Sequence, residues 1–169
     1  MTDQIEEKHI LSVIVDNEAG VLGRVVGLFS GRGYNIHSLT VSEVDKVKKL
    51  SRITIKTSAP PHVIEHVVTL IERIIPVHRV VDLTEKGPFV ERGLALVKVK
   101  AVGDKRAEIL HLADSFDAKE IDSTDKSFVF EITDNSSKLD EFIASMESYG
   151  IIEYARTGVA AISRGSDGM

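Results

Sequence analysis

The stretch His9–Ser30, HILSVIVDNEAGVLGRVVGLFS, changes its period part-way. His9–Val15 is a short apolar run of the kind that forms a half-buried or buried strand. From Gly20 the apolar residues recur at helical spacing, so that Val21, Leu22, Val25, Leu28 and Phe29 share one face, and Gly31 and Gly33 provide a C-terminal stop. Between them lies VDNEAGVL, Val15–Leu22, a polar loop with a glycine where a strand hands over to a helix. Working outward, Tyr34–Val44 alternates as a second strand and Ser51–Thr57 reads as a third. Pro61–Ile74 has proline at a helix start, with Ile64, Val67, Val68, Ile71 and Ile74 facing inward. Val77–Thr84, VHRVVDLT, closes the set as a strand.

This order is βαββαβ, which right-handed crossovers fold into an antiparallel, ferredoxin-like sheet with both helices on one face. The order then recurs. Gly93–Ala101 is a strand and Asp104–Phe116 a helix, and AKEIDST with SFVFEIT forms a hairpin turning at Asp125–Lys126. NSSKLDEFIASMES carries an Asn/Ser cap and an apolar stripe of Leu139, Phe142, Ile143 and Met146, and Ile151–Gly158 ends the second unit. The expected class is α+β, with two tandem ferredoxin-like domains at residues 1–84 and 93–164, a linker at 85–92 and a tail at 165–169.

Composition agrees with a globular chain. Of the 169 residues, 43% are hydrophobic and 28% charged, and no apolar run approaches the roughly 20 residues that span a bilayer. The start MTDQIEEKHI lacks the basic and apolar segments of a signal peptide, so a cytoplasmic location is expected. The absence of cysteine excludes disulfides, thiolate catalysis and Cys-based metal sites. A net charge of −5 without a long basic run argues against nucleic acid as a partner, and ILSVIV and SRITIKT offer no aromatic residue on which bases could stack.

The loop Asp16–Gly20 admits two readings. It can be a helix cap with a turn glycine. It can also be an anion site, because helix-start N–H groups and the helix dipole attract negative charge, and Gly20 lets a ligand approach the backbone. With Asn35 for an ammonium and Leu22 or Ile36 for an apolar side chain, a branched amino acid would suit such a surface.

DNEAGVLGRVVGLFS, RGYNIHSLTV, SRITI and RTGVAAISRG, together with VERGLALVKV, resemble the small, regulatory subunit of acetolactate synthase (acetohydroxyacid synthase) over nearly the whole chain. The resemblance implies an N-terminal ACT domain followed by a second ferredoxin-like domain, homodimerisation, and valine or another branched-chain amino acid bound where two ACT domains meet. It further implies a catalytic large subunit carrying thiamine diphosphate, FAD and magnesium, with no cofactor in this chain. Activation of that subunit and its feedback inhibition would be this chain's part in valine, leucine and isoleucine biosynthesis. Carried over by position, the effector loop falls on Asn17, Glu18, Ala19, Gly20, Val21 and Leu22, and the facing loop on Asn35 and Ile36. Ala19 stands where the family often has serine or another small residue. The alternative is an ACT module sensing amino acids for another partner, such as a transcription regulator.

Other signals point to surface or core roles. HVIEH, His62–His66, fits a zinc-protease spacing, but His62, Glu65 and His66 lie opposite the helix's apolar face, and nothing supplies a third ligand. No metal or catalytic residue is therefore assigned. Gly31 and Gly33 end a helix where a dinucleotide fingerprint would begin one. Ser12, Ser38 and Ser51 fit no nucleophile motif. Glu6–Glu7 and Asp140–Glu141 read as surface charges. TGVAAIS, between Arg156 and Arg164, suits either a partner contact or a core strand.

Overall fold

The structure is a computed structural model in which residues 6–169 are described. It divides into two compact units, one ending at Val90 and taking in Gly158–Met169, the other Glu91–Thr157.

In the first unit, β1 (Glu7–Asp16), α1 (Val21–Ser30), β2 (Ile36–Asp45), β3 (Leu50–Ala59), α2 (Pro61–Glu72) and β4 (Val77–Asp82) follow the expected order. The sheet runs β2-β3-β1-β4, all neighbours antiparallel. Leu11, Val13 and Val15 alternate along β1 and meet Val21, Val25 and Phe29 of α1 and Ile64, Val67 and Ile71 of α2 in one core. Burying a side chain of this size contributes roughly 1.5–3 kcal/mol, so the helical spacing read from the sequence also sets which face of each helix the sheet covers.

The second unit repeats the plan with β5 (Phe89–Lys100), α4 (Lys105–Ser115), β6 (Lys119–Ser123), β7 (Ser127–Asp134), α5 (Ser136–Glu147) and β8 (Ile151–Arg156), in sheet order β6-β7-β5-β8. Asn135 caps α5 as its sequence predicts: its side chain accepts from the Lys138 N–H at 3.0 Å. Leu139, Phe142, Ile143 and Met146 all lie in the core, where the Phe142 ring meets those of Phe116 and Phe130 edge-on. Asp140, read as a surface charge, pairs with Arg156.

Three boundaries differ from expectation. Asp82 ends β4 by capping a one-turn helix, α3 (Leu83–Lys86), through a 2.9 Å bond from the Thr84 N–H, so VHRVVDLT is not strand throughout. The linker expected at 85–92 is the end of α3 followed by the first residues of β5, because those residues find a strand partner in β9 (Ala160–Ser163). The second compact unit itself ends at Thr157. Gly158–Ser163 returns to the first unit, where Val159 and Ala161 pack with Ile10 and Leu83. TGVAAIS thus includes a short strand in which Ala161 is buried while Ala160 and Ile162 are exposed, and Gly158 lies so close to β2 that a Cβ there would stand 2.8 Å from the Leu39 carbonyl oxygen.

Candidate functional site

The loop between β1 and α1 is not capped by a side chain. Gly20 is the N-cap residue in the left-handed region, at φ 86°, and no side-chain oxygen accepts from the first turn. Asn17 is engaged elsewhere: its N–H donates to the Lys49 carbonyl at 2.7 Å, and its side-chain amide donates to Glu43 Oε1 at 3.3 Å. Both acceptors belong to β2 or to the lysine-rich turn that follows it. Asp45 orders that turn by accepting from the N–H groups of Val47 and Lys48. The loop is therefore held from the neighbouring hairpin, and its own donors are left over. Among the described residues, the N–H groups of Ala19, Gly20, Leu22 and Gly23 have no acceptor. A helix start with unpaired donors at an exposed surface is where an anion gains most from the backbone dipoles. Two nearby acids are engaged elsewhere: Asp16 pairs with His78 at 2.6 Å, and Glu43 is taken by Asn17.

The predicted site residues divide by role. Leu22 is exposed beside the loop, whereas Val21 is buried in the core and can offer only its backbone. Gly20 has open space where a Cβ would project, so its contribution is the left-handed backbone that turns the loop into α1. Ile36 packs its side chain partly against the core, and Asn35 is exposed, its carbonyl accepting from the Thr57 hydroxyl at 2.6 Å.

Within one chain the two loops do not meet. Asp16 and Asp45 both lie opposite Leu50, at one end of the sheet. Ile36 lies opposite Thr57, towards the other end. At about 3.3 Å per residue this is a separation of roughly 23 Å along the strand. The strand that joins the two ends, β2, is an edge strand, and most of its residues are at least partly exposed, with Val41 at 40% and Val44 at 52%.

Sequence reasoning did not find Glu43 or Lys49, whose contact with Asn17 depends on the β2–β3 hairpin folding back beside the loop. His62, Glu65 and His66 are exposed on α2, as read.

Comparison with known proteins decides the family. Residues 92–165 match the family described as small subunit of acetolactate synthase, and residues 11–79 match the AHAS small subunit-like ACT domain. The chain belongs to the acetolactate synthase small-subunit family. It is 42% identical over 159 residues to the acetolactate synthase isozyme 3 small subunit of Escherichia coli, covering 94% of this chain and 96% of that one. It is 40% identical over 159 residues to the acetolactate synthase small subunit of Haemophilus influenzae, with the same coverage. The crystal structure of the acetolactate synthase small subunit from Thermotoga maritima superposes with a TM-score of 0.82 at 34% identity, over 95% of this chain and 99% of that one. The ACT segment falls within the first unit and contains both loops of the candidate site, and the other segment covers the second unit and continues through β9.

Proposed function

We propose that this chain is a cytoplasmic, non-catalytic regulatory subunit of acetolactate synthase in branched-chain amino-acid biosynthesis, and that it binds valine between two copies of its first unit. The observation that carries the reading is the placement of the two loops at opposite ends of an open edge strand. A two-fold axis that pairs β2 with β2 of a second copy runs the strands antiparallel, which brings the Asn35–Ile36 end of one chain to the Asn17–Leu22 end of the other. Each dimer then has two sites.

In each, the unpaired N–H groups of Ala19, Gly20 and Leu22 take the effector carboxylate, Asn35 of the second copy takes the ammonium, and Leu22 and Ile36 flank the side chain. Pairing also removes the exposed edge, a surface that would otherwise invite aggregation. Effector bound across the axis favours one arrangement of the two copies, and a coupling of about 1–3 kcal/mol gives roughly 5- to 150-fold inhibition of an associated catalytic subunit. That large subunit carries the thiamine diphosphate, FAD and magnesium. Relatives that match along the whole chain are acetolactate synthase small subunits, which favours this partner over a transcription regulator.

Isothermal titration of the purified chain with valine, leucine and isoleucine, beside Asn17→Ala, tests the site. Saturable valine binding that the variant loses is expected; no heat with any of the three would remove the effector reading. Mixing with a purified catalytic subunit tests the partner. Its turnover should rise, and unchanged turnover at micromolar excess would contradict the proposal.

A further inference from the structure

His9 stands on β1 in line with the core residues Leu11, Val13 and Val15, fully buried, and its ring is half-satisfied. Nδ1 lies 2.7 Å from Asp82 Oδ2, while the other oxygen of Asp82 accepts from the Thr84 N–H at 2.9 Å. A carboxylate held in this way assigns the ring proton to Nδ1. Nε2 is left as the ring atom that can serve as a ligand once it carries no proton, and it is buried with no partner among the described residues. Leaving such a group unmade is unfavourable in a folded core unless something occupies it.

Two carboxylates converge on the same place. A ring nitrogen of His9 and one oxygen from each of Glu7 and Glu85 lie within 4.8 Å of one another, the one such group of three among the described residues. Glu7 comes from the start of β1 and Glu85 from α3, and both side chains are exposed. His9, Asp82 and Glu85 also line a cavity of about 300 Å³, together with Glu65 and the apolar Ile64 and Val68 of α2. Three carboxylates, those of Asp82, Glu7 and Glu85, therefore stand close to the His9 ring, and no cation is paired with Glu7 or Glu85 in the ion pairs of the described residues.

We propose that Glu7, His9 Nε2 and Glu85 form a binding site for a first-row divalent transition-metal ion of the zinc class. The donor set favours that class: one imidazole with two carboxylates suits zinc, manganese or cobalt, whereas magnesium and calcium prefer all-oxygen shells. The second shell is already built, since a metal-ligating histidine characteristically gives its other N–H to a carboxylate, as His9 does to Asp82. Ligands of a tetrahedral zinc at about 2.1 Å stand about 3.4 Å apart, so separations of up to 4.8 Å must contract by up to about 1.4 Å. His9 is fixed and the two exposed glutamates are free to change rotamer, so the contraction falls on them. Three protein ligands leave a fourth position for water. A bound ion would tie the start of β1 to α3 and so stabilise the first unit.

The test uses the full, untagged chain after dialysis against a chelator. Titration with zinc sulfate should show one equivalent per chain and a raised unfolding temperature, and cobalt should give the visible absorption bands of a low-symmetry site. Glu7→Gln combined with Glu85→Gln alters exposed residues only, and should weaken zinc binding at least tenfold while leaving the far-UV spectrum unchanged. Asp82→Asn, a change at a positioning residue, should weaken it about 10- to 100-fold. His62→Gln combined with His66→Gln should leave binding intact. Zinc binding that survives the glutamate changes but disappears with the α2 histidines would overturn the proposal, as would the absence of saturable binding.

Discussion

Replacing Gly20 with aspartate separates the chemistry of the loop from the integrity of the fold. Gly20 has φ 86°, where an L-residue costs about 1–2 kcal/mol and aspartate is among the more tolerant choices. Nothing lies within 4 Å of a Cβ built there, so no clash is added to that strain. The first unit, whose core residues from Val21 onward are unaltered, should stay folded. Its ligand chemistry should not. The new carboxylate sits among the N–H groups of Ala19, Gly20 and Leu22, where it takes donors for itself and repels an effector carboxylate. Two carboxylates about 4 Å apart near a protein surface repel by about 4 kcal/mol. Exposure of the loop and added salt reduce this to about 2–3 kcal/mol, a roughly 30- to 160-fold loss of affinity. The assay is valine titration of the chain alone and valine inhibition of the reconstituted enzyme, with Gly20→Ala as control because it shares the strain without the charge. Activation without valine should persist in both variants. Valine inhibition of normal strength in Gly20→Asp would refute the placement of the carboxylate site.

Removing the α5 cap with Asn135→Ala should cost the second unit about 1 kcal/mol, read from urea unfolding followed by hydrogen exchange of its amides. Gly158→Ala should cost about 1–3 kcal/mol in the first unit, because the added methyl group meets the backbone of Leu39 and the hydroxyl of Thr40. Asp134 supplies a pH dependence. The Asn135 N–H, with Lys138 beside it, holds its carboxyl below the ordinary value of 3.8 despite some opposing desolvation. Its stabilising contribution should therefore be complete above about pH 4 and be lost as the pH falls through its lowered folded value, and Asp134→Asn should flatten that part of the acid unfolding curve.

The two βαββαβ units were legible because each depends on local periodicity. Ile64, Val67 and Ile71 mark the buried face of α2 at helical spacing, as Leu139, Phe142, Ile143 and Met146 mark that of α5. What the sequence did not disclose depends on partners far along the chain. Val159 and Ala161 form too short an apolar segment to show which sheet they join, and it is the start of β5 that receives them. Asp82 looks like a strand residue until its two oxygens are seen to serve Thr84 and His9, the latter 73 residues away. His9 itself keeps the alternation of a core position, and Glu7 passes for an ordinary surface charge. The candidate site was legible as two loops, carried by a resemblance. The proposed way of joining them was not, since it rests on the register of β2 and on the symmetry of a second copy.

That symmetry can be tested by complementation. Asn17→Ala and Asn35→Ala, each at a different end of β2, should each abolish valine binding in the homodimer. Denatured together in equal amounts and refolded, they should form mixed dimers in which one site carries both changes and the other neither, restoring tight binding to about a quarter of the wild-type sites. Binding that returns only in the mixture would establish that each site is built from two chains. No recovery, with dimers shown to have mixed, would contradict it.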